Sequence, residues 1–167
     1  SGSFTDPGPD TWTANVDYGD GTGTQPLTIT GMTFALNHTY DSHGTFFVTV
    51  EVTDDDGASD SETFIVSVLN VSPQTGIDLA LTVAEGDLYS GSGSFVDPGA
   101  NSWNATVNYG DGSGVSALAL SAGKSFELGH VYADNASYTI VVCVIDDGGG
   151  YGCSSVILDV TNSSPEV

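Results

Sequence analysis

The feature that most constrains this chain is that it is written twice. Residues 1–21, SGSFTDPGPDTWTANVDYGDG, match residues 92–112, SGSFVDPGANSWNATVNYGDG. Phe4, Asp6, Pro7, Gly8, Trp12, Tyr18, Asp20 and Gly21 return 91 positions later as Phe95, Asp97, Pro98, Gly99, Trp103, Tyr109, Asp111 and Gly112. Further along, His38, Tyr40, Asp54, Asp55, Gly57 and Asn70 return after 92 positions as His130, Tyr132, Asp146, Asp147, Gly149 and Asn162. A period of this length is the size of one sandwich domain, so each copy is read as closing over its own core. The Ser-Pro stretch at 71–75, echoed at 163–167, marks the join. The expected domains are therefore 1–72 and 73–167.

The local pattern is all-β. Val48, Val50 and Val52 alternate with Thr49 and Glu51, and Phe64, Val66 and Val68 alternate with Ile65 and Ser67. Ile140, Val142 and Val144 repeat the pattern in the second copy. Trp12, Ala14, Val16 and Tyr18 occupy one face of another strand, with Thr13, Asn15 and Asp17 on the other. A period of two with one apolar face marks a half-buried strand. Turn glycines punctuate the strands at Gly19, Gly21, Gly57 and 148–150. No helical periodicity exceeds two turns.

Charge narrows the partners. The chain carries 22 acidic side chains against the single base Lys124, for a net charge of −21. Nucleic acid and anionic lipid are bound through Lys and Arg, so both are excluded as partners. No apolar run reaches the ~20 residues needed to span a bilayer, so membrane insertion is not expected. The excess acid has two readings, solvation and binding of divalent cations.

Taken in order, the motifs resemble a known family. The strand ending Tyr-Gly-Asp-Gly at 18–21 and 109–112, the His-x-Tyr at 38–40 and 130–132, the Val-rich strand that follows and the Asp-Asp-x-Gly loop are similar to the signature of polycystic kidney disease (PKD) domains. The likeness covers nearly the whole chain, twice. It departs from the family at Tyr18 and Tyr109, where a phenylalanine is usual. The resemblance implies two tandem immunoglobulin-like β-sandwiches from an extracellular or cell-surface protein, with no enzymatic activity of their own. The residues agree with a structural role. Tyr40 and Tyr132 are placed as tyrosine corners, Trp12 and Trp103 as core anchors, and Asp20 and Asp111 as caps of their own turns.

No catalytic constellation is present. His38 and His130 recur beside the corner tyrosines, and no nucleophile elbow accompanies a base. Paired carboxylates could in principle cleave glycosides, but here they lie in turns without a flanking aromatic cleft. The chemistry that remains is calcium. Asp6 or Asp97 in one loop, and Asp54, Asp55 and Asp56 or Asp146 and Asp147 in another, are expected at the same pole of a sandwich, where hard oxygens suit that ion. Glu85 is a weaker candidate that the topology can place at the opposite pole. Cys143 and Cys153 stand symmetrically about Gly148, which puts them opposite each other on adjacent antiparallel strands and predicts a disulfide. Such a bridge argues for an oxidising compartment. Sequons at Asn37, Asn70, Asn104, Asn135 and Asn162 are candidate glycosylation sites.

The copies differ at their start. Residues 77–87, IDLALTVAEGD, alternate as a first strand in the second copy, while Ser1 aligns with Ser92, so the first copy has no counterpart. The chain then reads as a window on a longer array, or as a unit whose gap a neighbouring chain fills. An open edge invites strand addition. The expected role is a structural or adhesive repeat in a cell-surface array or filament. Its expected partners are neighbouring copies of itself, met end to end or by strand addition, and possibly surface glycans or proteins. The competing role is a carbohydrate- or protein-binding accessory domain of a secreted hydrolase, which would show one exposed aromatic strip in both copies.

Overall fold

A computed structural model of the chain describes residues 1–78, 82–99 and 102–164. Contacts divide the chain into two units, Ser1–Leu69 and Asn70–Val167. The second unit takes in Asn70, whose side-chain amide donates to Asp146. The described residues are strands and turns, and no helix among them is long and apolar enough to cross a membrane.

Unit 1 contains β1 (Gly2–Ser3), β2 (Trp12–Asp17), β3 (Gln25–Leu27), β4 (Ile29–Thr30), β5 (Thr33–Phe34), β6 (Gly44–Asp54) and β7 (Ser59–Val68). They form two sheets, ordered β1-β5-β4 and β3-β2-β6-β7. Inward alternation along β2 and β6 places Val16, Val48 and Val50 in the core with Tyr18, and Leu27, Phe34, Leu36, Tyr40 and Val66 pack around them. Removing that apolar area from water is the main stabilising term.

Unit 2 contains β8 (Gln74–Asp78), β9 (Thr82–Ala84), β10 (Leu88–Val96), β11 (Trp103–Asn108), β12 (Val115–Leu118), β13 (Ser125–Val131), β14 (Ser137–Asp146) and β15 (Tyr151–Thr161). Its sheets are ordered β13-β10-β8 and β12-β11-β14-β15-β9. The expected first strand is thus two strands. β8 pairs antiparallel with β10, and β9 pairs parallel with β15 in the facing sheet. Leu79, Ala80 and Leu81, part of the predicted strand, lie outside the described residues.

This addition explains the main contrast between the copies. The first half of β10 pairs with β13 from Leu88↔Val131 onward, so β13 runs for seven residues. Its counterpart β5 has only β1 and β4 as partners and is two residues long. Tyr89, Ile77 and Val83 close the core of unit 2, where Phe126, Leu128, Tyr132 and Leu158 are fully buried. Their counterparts Phe34, Leu36, Tyr40 and Val66 are only half-buried.

Candidate functional site

The repeated polar motif builds the same cluster in each unit. The turn after β2 requires glycine, because Gly19 has φ 74° and a Cβ there would run into the Phe47 carbonyl. Gly110 repeats this with φ 79° against the Thr139 carbonyl. The turn delivers Asp20, whose Oδ1 accepts from the Thr22 amide at 3.1 Å and the Thr22 hydroxyl at 2.6 Å. Asp20 Oδ2 lies 2.7 Å from His38 Nε2. The imidazole stacks on Tyr18 at 4.0 Å and meets the Tyr40 ring edge-on at 4.7 Å. Tyr40 donates its hydroxyl to the Tyr18 carbonyl at 3.1 Å. In unit 2, Asp111, His130, Tyr109 and Tyr132 repeat each contact, with Tyr132 donating to the Tyr109 carbonyl at 3.0 Å. The tyrosine corner and the Asp turn caps are therefore as the sequence predicts.

The electrostatics follow from these bonds. Hydrogen bonds from Thr22 and His38 hold Asp20 down at about 2. The Ser113 and His130 bonds push Asp111 the same way, well below the usual carboxylate range. Burial raises the Tyr132 hydroxyl strongly, and that of Tyr40 less. The hydroxyls of Thr22 and Ser113 and one ring nitrogen of each histidine bond to the Asp carboxylate, and the corner tyrosines bond to backbone carbonyls, so these contacts tie turns and strands together.

The acidic loops do come together. Asp6 accepts from the Gly8 amide at 3.0 Å and from Trp12 Nε1 at 3.2 Å, and the Thr11 amide points at Asp55 at 3.4 Å. Asp97 accepts from the Gly99 amide and Trp103 Nε1, and the Ser102 amide points at Asp147 at 3.4 Å. Trp12 and Trp103 are half-buried, edge-on to Phe4 and Phe95. The Asp carboxylates are mainly turn and indole acceptors. Asp54 takes the Ala58 amide at 2.8 Å, and the buried Asp146 takes the Gly150 amide and both Asn70 bonds, while Asp56 is exposed. Among the described residues no three His, Cys, Asp or Glu side chains are grouped to hold a metal ion. Glu85 follows β9 and lies beside the C-terminal end of β15, where its amide donates to the Thr161 carbonyl and its Oε1 accepts from the Ser163 amide at 2.9 Å.

One difference between the copies was not visible as a motif. Lys124 reaches the Asp97 carbonyl at 2.6 Å and lies 4.4 Å from the Trp103 ring centroid. Its counterpart in unit 1 is Met32, since the amides of Phe95 and Phe4 donate to the carbonyls of Lys124 and Met32 respectively. Asp10 instead adds another acid at that pole. Desolvation, then its bond to Asp6 and the charges of Asp6, Asp55 and Asp54, raise its carboxyl above the ordinary value.

Cys143 and Cys153 are cross-strand partners on β14 and β15 and form the predicted disulfide. Among the sequons, Asn37, Asn104, Asn135 and Asn162 are exposed. Asn70 is half-buried, and its Nδ2, the atom that would carry a glycan, donates to Asp146 at 2.9 and 3.1 Å. A sugar there would require breaking both bonds.

A family model described as PKD domain matches residues 1–68 and again 70–161. No curated protein matches the chain. Among solved structures, the chain is similar to the PKD domain of an M14-like peptidase from Thermoplasmatales archaeon SCGC AB-540-F20, at 15% identity and a TM-score of 0.47 over 56% of this chain and 99% of that one. It is also similar to a putative membrane anchored protein from Corynebacterium diphtheriae, at 11% identity and a TM-score of 0.38 over 92% of this chain and 45% of that one. A third likeness is to SGBP-B of the Bacteroides ovatus mixed-linkage glucan utilization locus, solved with a mixed-linkage heptasaccharide, at 19% identity and a TM-score of 0.29 over 93% of this chain and 38% of that one. The chain spans under half the length of these last two. The assignment rests on the family model, whose domains are generally non-catalytic accessory modules of extracellular or surface-associated proteins. The chain belongs to the PKD domain family and carries two of its domains in tandem.

Proposed function

We propose that the chain is a non-catalytic extracellular repeat module that contributes length and spacing to a cell-surface array or filament built of like units. What carries the reading is the duplicated Asp-His-Tyr cluster, in which the reactive-looking groups are consumed in holding turns and corners, identically in both units. The acidic shell suits a part that stands in solvent and repels other anionic surfaces. A carbohydrate- or protein-binding accessory role needs the same exposed aromatics in both copies, and exposed Phe47 has Thr139 as its counterpart. Electron microscopy of native material is the test. Regularly beaded fibres or a surface lattice are expected, and isolated monomers that bind a glycan would overturn the reading. Melting curves in millimolar calcium against EDTA separate the two roles of the acidic turns, solvation and ion binding.

A further inference from the structure

The two copies differ in one patch on the outer face of the larger sheet. β2 opens Trp12-Thr13-Ala14-Asn15, and β11 opens Trp103-Asn104-Ala105-Thr106. The same polar residues thus stand in opposite order, and only the second order makes Asn-x-Thr, the acceptor pattern for N-linked sugar. Ala105 is buried, so Asn104 and Thr106 on either side of it point away from the core, and Asn104 is exposed. Among the five sequons, Asn104 alone stands within a strand, where asparagine is disfavoured.

The residues across the sheet change with it. Asn104 is opposite Ile145 on β14, which is opposite Tyr151 on β15. Thr106 is opposite Cys143, which is bridged to Cys153. Residues opposite each other on neighbouring strands share a face and lie about 5 Å apart. The surface beside the sequon is therefore apolar, and it lies open: Ile145 is 43% and Tyr151 67% exposed. Unit 1 places Thr53, Glu51, Ser59 and Ser61 there, on strands paired in the same register. Where the sequon is missing, the patch is polar. Single exposed apolar residues need no cover, but a contiguous patch marks a contact.

We infer that Asn104 is an N-glycosylation site whose sugar lies across β14 and β15, with the C–H faces of its first rings on Ile145 and the Tyr151 ring. In the attachment step the Asn104 Nδ2 attacks the anomeric carbon of an oligosaccharide carried on a polyprenyl-linked phosphate. The Nδ2–C1 bond forms, the bond from C1 to the phosphate oxygen breaks, the lipid phosphate leaves, and the amide gives up one proton. Nothing is oxidised or reduced. The attached sugar is bulky and solubilising, which suits an apolar patch on a solvent-facing sheet. The donor and its transferase belong to a secretory route, so the inference rests on the extracellular part of the proposed function and is independent of the array.

The test uses the 167-residue chain secreted from cultured eukaryotic cells, together with native material. Glycopeptide mapping by mass spectrometry should find sugar on Asn104 in both. Hydroxyl-radical footprinting of the secreted chain should then oxidise Tyr151 severalfold more slowly than in Asn104→Thr, which installs the residue unit 1 carries. Thr106→Ala, which keeps Asn104 but removes the acceptor pattern, should behave like Asn104→Thr. Exposed Phe47 of unit 1, with no sequon on the strand beside it, should oxidise equally in all three chains. A bare Asn104 in either material would overturn the site and leave the array untouched, since fibres are read by microscopy. Equal Tyr151 rates with and without the sugar would overturn the cover. Slow oxidation of Tyr151 in the variants as well would also overturn it, and would give the patch to a protein contact.

Discussion

At the scale of single residues, the two units run the same experiment twice. The Asp20 carboxyl has an ordinary value of 3.8 and is held at about 2 in the folded unit by Thr22 and His38. A group lowered by folding contributes stability above its unfolded value and loses it as pH falls through its folded value. Unit 1 should therefore lose stability between about pH 4 and pH 2, and Asp20→Asn should flatten that part of a pH series of urea midpoints. Asp111 is shifted in the same direction by Ser113 and His130, so Asp111→Asn should do the same for unit 2. Burial separates the corner tyrosines. Tyr132 has 0% of its surface exposed, whereas Tyr40 is half-buried. Tyr132→Phe, which strands the Tyr109 carbonyl in a dry site, should cost about 1–3 kcal/mol in denaturant titration, and Tyr40→Phe clearly less.

At the scale of elements, the leading strand and the disulfide both act on unit 2. The Gly152 backbone is where the Pro73 carbonyl comes close and where Thr75 donates its hydroxyl to the Gly152 carbonyl at 3.0 Å. Gly152→Ala should displace β8, expose Ile77, and lower the melting temperature of unit 2 alone, read by scanning calorimetry. The Cys143–Cys153 bridge closes a separation of 10 residues between paired strands. Replacing both cysteines by serine should cost about 2–3 kcal/mol in the loop-entropy account. Unit 1 carries Glu51 and Ser61 at those positions and folds the same hairpin, so the change should weaken unit 2 without altering its topology. A thiol titration of the denatured, unreduced chain should find none.

At the scale of the whole chain, the units have unequal cores. Among the described residues, ten buried apolar side chains form the main cluster of unit 2, against four in unit 1. Scanning calorimetry should resolve two transitions, with unit 1 melting first, and added salt should raise both by screening the −21 charge. The repeat, the strand alternation, the paired cysteines and the corner tyrosines were legible in the sequence, because each is a local pattern imposed by a period or a register. Single residues could not declare two other facts. The leading strand splits between sheets, which depends on which edges are free when the sandwich closes. The Asp carboxylates meet indoles and turn amides, because folding brings Trp12 and Trp103 back over Asp6 and Asp97. The sequence by itself determined that there are two sandwiches and what points inward in each, because side-chain alternation is a property of the strand alone. Only the tertiary structure decided which edges are paired and which acids lie together, because those depend on contacts between residues far apart along the chain.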